Sequence, residues 1–352
     1  MENNVLQKEI EEKRNSLTTD RLDMSYGEII SMYQNDDLII NPEFQRLFRW
    51  NNYQKTRFIE SILLGIPTPP IFVAEDKEGK WELVDGLQRL STIISFFGLL
   101  KGPSEEKNKW TLEKAPLVSA LEGINIDTLP LLFQRNIKRA YCRVEIIKWD
   151  SNIDMRYELF NRLNTGGSSL TEQEIRNCIF RGNGNEFNNF IRELADLPQF
   201  IELVDISSKK KDELYLDELV LRFLSLKEDY NSMNDNLSEH MTKFMENETK
   251  YHNLVYDFEK ENFNNIISLL YKLGSDVFKA TNKQFSSAIY DGIMVATNKF
   301  YEKYKDDVES LKAKIKLLKN NEEYKSNMGS NSGGKGRVQK RISIAIDIFG
   351  KE

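Results

Sequence analysis

At 352 residues, with 40% hydrophobic and 30% charged side chains, the chain is long enough for two globular domains, and no apolar run in it approaches the roughly eighteen residues of a membrane span. Forty-nine basic against 55 acidic residues leave a net charge of −6, which excludes a uniformly cationic surface. Two cysteines exclude a disulfide framework; with a polar, acidic N-terminus that lacks a signal-peptide pattern, they predict a reduced, cytoplasmic protein.

Charge is unevenly spread. The first forty residues hold nine acids and four bases, whereas Lys312 to Arg341 hold nine bases and two acids. Fourteen arginines precede Leu194, and none lies between Arg222 and Arg337. Arginine presents a planar fork suited to phosphate, while lysine is a hydrated point charge. The N-terminal half is therefore the first place to seek a phosphate pocket, and the C-terminal lysines suit a nucleic-acid backbone.

In chain order, residues 1–20 read as a polar helix or arm, Tyr26–Tyr33 as a short amphipathic helix and Asp37–Ile40 as a strand. The stretch Asn41-Pro42-Glu43-Phe44-Gln45-Arg46-Leu47-Phe48-Arg49-Trp50 follows. Pro42 forces extended backbone. The stretch then offers Gln45, Arg46, Arg49 and Trp50 from a loop, with Phe44, Phe48 and Trp50 also suited to plugging a core. Asn52–Gly65 has helical spacing in Phe58, Ile59, Ile62, Leu63 and Ile66; Gly65 and the prolines at 67, 69 and 70 end it. Ile71–Ala74 and Trp81–Val84 form a hairpin around the charged turn Glu75–Lys80.

The hairpin runs into Val84-Asp85-Gly86-Leu87-Gln88-Arg89-Leu90-Ser91-Thr92 and then a helix through Leu100. Glycine lets the backbone turn and a ligand approach, and a new helix offers unpaired N–H groups and a partial positive charge. Those residues alone leave two readings open, an anion site and an Asp-Gly turn with a surface arginine. Further on, Lys101–Asp127 reads as a polar insertion, Leu129–Lys138 as a helix, and Ala140–Lys148 as an alternating strand that closes the first domain's sheet. Asn152–Leu163 is helical. The small-residue loop Asn164-Thr165-Gly166-Gly167-Ser168 breaks it, and Thr171 with Glu174 starts the next helix as a capping box. That loop suits a plain turn or a phosphate contact.

Beyond Asn185 the pattern is helical: Phe187–Leu194, Leu214–Leu226, Met241–Phe258, Phe263–Leu273, Phe285–Tyr304 and Val308–Leu318. Ser326–Gly336 is a basic glycine-rich loop without Walker A spacing, followed by a helix Gly336–Ile348 with Arg337, Lys340 and Arg341 in its first turns. The two histidines, His240 and His252, lie in Lys/Glu-rich helices and in no metal-ligand pattern, which disfavours His-dependent hydrolysis. Catalysis would have to use Asp, Glu, Arg, Gln or Asn with a metal such as Mg²⁺.

Taken together and in order, Pro42-x-x-Gln45-Arg46-x-x-x-Trp50, Ser61-Ile62-Leu63-Leu64-Gly65-Ile66-Pro67-x-Pro69-Pro70 and Asp85-Gly86-x-Gln88-Arg89 resemble the GmrSD restriction endonuclease N-terminal domain family. Asn164-x-Gly166-Gly167 with Leu170 and Glu174 is similar to its downstream motif. The resemblance runs from about Tyr26 to Asn177 and implies a ParB/sulfiredoxin-like fold in which the equivalent helix start binds nucleotide phosphates. It further implies a role in prokaryotic defence against phage or foreign DNA. Leu87 stands where the family's Asp-Gly-Gln-Gln-Arg motif has its first Gln. The HNH nuclease domain that many members carry has no counterpart in this sequence, so cleavage by this chain is not implied.

The expected architecture is α+β: an arm over 1–20, a small ParB/sulfiredoxin-like mixed sheet with helices over 21–150, and a mainly helical domain over 151–352 with a basic last helix. The expected function is that of a nucleoside-triphosphate-binding, and further an NTP-hydrolysing, component of an anti-phage or modification-dependent restriction system. Arg46, Arg49, Gly86, Arg89, Asn164, Thr165, Gly166 and Gly167 would hold phosphates. Asp85 would position Mg²⁺ or the attacking water, with Gln45 or Gln88 orienting it. Lys335, Arg337, Lys340 and Arg341 would meet DNA. The alternatives are a non-catalytic nucleotide- or DNA-binding module that regulates a separate nuclease or other defence subunit, and, ranked lower, a carboxylate- and metal-dependent nuclease.

Overall fold

A computed structural model describes residues 6–8, 10–11, 14, 18–40, 48–149, 151, 153–163, 171–181, 186–234, 236–280, 283–329 and 332–351. The chain divides into two compact units, Met1–Ser169 and Leu170–Glu352. The fold is α+β, a small mixed sheet followed by helices.

The first unit runs β1 (Thr19–Ser25), α1 (Tyr26–Gln34), β2 (Leu38–Ile39), α2 (Asn52–Leu63), β3 (Ile71–Glu75), β4 (Trp81–Asp85), α3 (Leu87–Phe96), α4 (Leu131–Arg139), β5 (Tyr141–Ile147) and α5 (Ile153–Leu163). The five strands lie in the order β1-β5-β3-β4-β2. The expected hairpin forms: β3 and β4 pair antiparallel, with Phe72 opposite Asp85 and a register shift between Phe72 and Val73. β3 also pairs in parallel with β5, so β5 lies inside the sheet rather than closing it. The strand that closes that side is β1, antiparallel to β5 from Thr19 opposite Ile147 to Ser25 opposite Tyr141. Periodicity does not signal β1 because its pattern is polar: most of its residues are exposed, as an edge strand tolerates, and Met24 is its buried residue.

One core serves this unit, and Ile59, Val73, Ile93, Ile94, Phe96, Ile137 and Val144 are essentially inaccessible in it. The polar stretch expected to be an insertion belongs to the same core. Trp110, Leu112, Leu121 and Ile126 are buried there. The stretch is fastened to α2 by two buried polar residues: Glu60 accepts from the N–H groups of Leu117 (2.8 Å) and Val118 (2.7 Å), and Thr56 accepts from Glu113 N (2.9 Å). Its polarity misled because backbone amides, not apolar residues, carry those attachments.

The second unit comprises α6 (Glu172–Arg181), α7 (Glu186–Ala195), α8 (Pro198–Val204), α9 (Ser208–Asp212), α10 (Tyr215–Asp229), α11 (Leu237–Tyr251), α12 (Tyr256–Tyr271), α13 (Ser287–Lys299), α14 (Tyr301–Tyr304), α15 (Val308–Asn320), α16 (Glu322–Ser326) and α17 (Lys335–Gly350). The capping box at its start is present: Glu174 accepts from Thr171 N at 2.6 Å, and Thr171 Oγ1 accepts from Glu174 N at 3.3 Å. Met241–Phe258, read as one helix, is two, because His252 turns the chain at φ +48° and caps α11. The reading Phe285–Tyr304 likewise divides, at Phe300. Helix α13 is buried along almost its whole length, and Gly292 makes that possible: a Cβ there would lie 2.3 Å from the Tyr324 hydroxyl. Among the described residues no helix is long and apolar enough to cross a membrane.

Candidate functional site

Three sequence-distant segments of the first unit meet at the start of α3. Strand β4 ends on Asp85, and Gly86 turns the chain into the helix at φ +103°. That angle lies in the left-handed region, where a Cβ is penalised. Crowding makes the position stricter still, since a Cβ on Gly86 would sit 2.5 Å from Ile71 Cγ2. No side chain caps the helix that follows. By contrast, Asn51 and Gln54 close a capping box on α2. The amides opening α3 and their share of the helix dipole therefore have no capping oxygen supplied by a side chain.

Arg89, one turn in, is held on three sides. Its Nη1 donates to the carbonyl oxygens of Pro69 and Pro70, the latter at 2.9 Å, and its Nη2 donates to Asp85 Oδ2 at 2.8 Å. The Arg89 side chain is only 14% exposed, while Asp85 is 41% exposed. Below it, the buried Tyr26 hydroxyl lies 3.3 Å from Thr68 Oγ1. The Cys142 thiol is buried nearby, and burial pushes both the phenol and the thiol up, against the opposing pull of the Arg89 charge. Arg89 thus ties the proline segment before β3 to the Asp-Gly turn after β4.

Gln88 ties in the third segment. Its Oε1 accepts from both Arg49 N and Trp50 N, each at 3.0 Å. An amide oxygen has two lone pairs, so both are engaged. This gives Gln88 a positioning task, holding the backbone at Arg49 and Trp50. Trp50 packs edge-on to Phe58, 5.7 Å between ring centres, and anchors the same backbone to α2. The Arg49 residue itself is exposed.

Gln45, Arg46, Asn164, Thr165, Gly166 and Gly167 lie outside the described residues. Asp85, Gly86, Gln88, Arg89 and Arg49 are brought together. What residue types failed to signal is the part of Pro69 and Pro70, which act through backbone carbonyls that any residue would supply. Among the described residues no group of three or more His, Cys, Asp or Glu side chains is placed to hold a metal ion. A Mg²⁺ here would rest on Asp85, with phosphate oxygens and water completing its shell, the usual arrangement for Mg²⁺ with nucleotides.

Residues 26–181 match the family model described as GmrSD restriction endonuclease, N-terminal domain. This segment is similar to that domain. No curated protein and no solved structure matches the chain. The GmrSD match takes in the whole Asp85–Arg89 joint and the proline segment that Arg89 grips, and it stops well before the basic C-terminal helix.

That helix corrects one expectation. Arg341 is not a DNA-contacting residue: its side chain is 1% exposed and donates from Nη1 to the carbonyls of Asn327 (2.9 Å) and Ser332 (2.7 Å). Its Nη2 meets Asp291 Oδ2 at 3.3 Å, and Arg222 grips the same carboxylate. Periodicity explains the change, since Arg341 falls on the face of α17 that buries Val338, Ile342 and Ala345. Lys340 is exposed and pairs with Glu323 at 2.8 Å; Lys335 is exposed and Arg337 half-buried.

Proposed function

We propose that the joint at Asp85–Arg89 binds the phosphates of a nucleoside triphosphate, and that the chain serves in DNA restriction. One observation carries the reading: an uncapped helix start entered through a left-handed glycine, with an arginine fixed beside it. The α3 amides would receive phosphate oxygens as at other glycine-turn helix starts. Arg89 would contribute its charge and keep Asp85 in position; Arg49, whose amide Gln88 holds, would add to the neutralisation, as would Arg46, three residues earlier in the sequence. Asp85 would carry the Mg²⁺ or orient the attacking water, and Gln45 remains the second candidate for the water.

The commitment of Gln88 Oε1 to two loop amides favours a second reading, in which nucleotide occupancy sets the loop and a separate subunit performs the chemistry. A thermal-shift screen of ATP, GTP, CTP and UTP, followed by phosphate-release assays with and without DNA, separates the two. Arg89→Ala should weaken the bound nucleotide by about ten- to a hundredfold, from about 1.5–3 kcal/mol for a charge-assisted bond. Unchanged affinity in calorimetry removes Arg89 from the site. Turnover that is lost in Asp85→Asn with binding retained supports hydrolysis; binding with no release from any nucleotide supports the regulatory module.

A further inference from the structure

The second unit holds a concavity of about 500 Å³ whose rim is lysine and whose floor is apolar. Its walls come from four parts of the chain: the turn after α12, Ile289 of α13, helix α15, and α16 with the residues behind it. Helix α15 explains the arrangement. Leu311, Ile315 and Leu318 are its buried residues, and Lys312, Lys316 and Lys319 each follow one of them in sequence, on the side facing the hollow. Lys279 and Lys283 face it from the turn, and Lys325 from α16. Asp276 is the acid in the lining, so six ammonium groups gather against one carboxylate in a chain whose overall charge is −6.

Three of the six are already engaged. Lys279 pairs with Asp205 at 3.0 Å, Lys325 with Glu322 at 2.8 Å, and Lys319 donates to the Asp276 carbonyl at 2.6 Å. Partial burial, only partly opposed by Asp276, pushes the Lys319 ammonium down from its ordinary value, a cost that a bound anion would offset. Lys283, Lys312 and Lys316 are exposed and have no carboxylate within ion-pair distance among the described residues. Lys312 and Lys316 stand one turn apart, about 6 Å along the axis.

We propose that this lysine-rimmed concavity is a docking surface for the phosphodiester backbone of duplex DNA. The lining has no arginine and no aromatic ring among the described residues, so it offers neither a bidentate fork for a terminal phosphate nor a platform on which an unpaired base would stack. Lysine point charges in a row match a regularly charged strand and carry no base preference. None of Lys335, Arg337, Lys340 and Arg341 lines the hollow. The choice of DNA among polyanions rests on the restriction reading; the independence from the nucleotide joint does not.

The test uses the full chain and a short fluorescent duplex, with binding followed by anisotropy across a salt series. Lys283→Gln/Lys312→Gln/Lys316→Gln should lower duplex affinity at least tenfold at low salt. It should also flatten the dependence of log affinity on log salt by about 0.9 for each phosphate no longer neutralised. The melting temperature and nucleotide affinity of the triple variant should match those of the parent, which keeps this test separate from the one at Asp85–Arg89. Unchanged duplex affinity and slope overturn the proposal. So does a triple variant that loses binding of inorganic tripolyphosphate while keeping its duplex affinity, since the hollow would then be a small-anion site.

Discussion

Arg89 in the first unit and Arg341 in the second carry nearly the same bonds. Each donates from Nη1 to two backbone carbonyls and from Nη2 to one aspartate oxygen. Their acids differ. Asp85 is 41% exposed and sits at a helix start, whereas Asp291 is fully buried, accepts from Arg222 on both oxygens and from Arg341 on Oδ2. One bonding pattern therefore has two settings: in the second unit it consumes the charge inside a core, and in the first it holds a half-exposed acid against a mostly covered cation. Hydrogen-bond partners alone do not tell the two clamps apart; the exposure of the acid does.

The sharpest way to break this comparison is to make the same substitution in both clamps. Asp291→Ala leaves two buried guanidinium groups facing each other and should cost about 3–5 kcal/mol in chemical denaturation. Asp85→Ala removes the exposed half of a partly buried pair, leaves Arg89 its two carbonyl acceptors, and should cost less, about 1 kcal/mol. Equal costs would mean that the two clamps do the same structural work.

Next in size is Gly86→Ala. The left-handed backbone and the approach to Ile71 together predict a loss of roughly 2–4 kcal/mol. An unfolding midpoint like that of the parent would show that the joint relaxes, and that its geometry is not held as described.

A pH-dependent effect concerns a third buried cation, one whose burial Glu113 offsets only in part. Lys55 is 6% exposed, its ammonium 4.3 Å from the Trp110 ring centre and 5.6 Å from that of Phe48. Burial, reinforced by Lys107, pushes it down from 10.5 to about 8, while Asp291 and Glu218 hold Arg222 above its ordinary value despite burial. Below pH 8 both folded and unfolded chains carry the Lys55 proton and the penalty is fully present. Between about 8 and 10.5 the unfolded chain binds a proton that the folded one does not, so stability should rise with pH across that window. Subtracting the profile of Lys55→Met isolates the effect; a flat difference would mean that Lys55 is solvated.

Much of the frame was legible because it is local. The hairpin, the turn into α3 at Gly86 and the Thr171–Glu174 capping box depend on residues within a few positions of one another. Where reading failed, the deciding partner lay far off. Strand β1 is polar and becomes a strand because β5, more than a hundred residues later, pairs with it. Arg341 looked like surface charge because Asp291 is fifty positions away.

By itself the sequence determined the α+β class, the order of strands and helices around the proline and Asp-Gly motifs, and the GmrSD-like character of the first half. Each follows from local torsion preferences and from residue types set at short spacing. Only tertiary structure decided that Gln88 and Arg89 bind three motifs into one joint, because their partners in the other two motifs are backbone atoms that leave no trace in residue identity. It also decided which cations remain at the surface. Burial depends on which helix face meets the core, and that turned Arg341 inward while gathering lysines from three segments around one hollow.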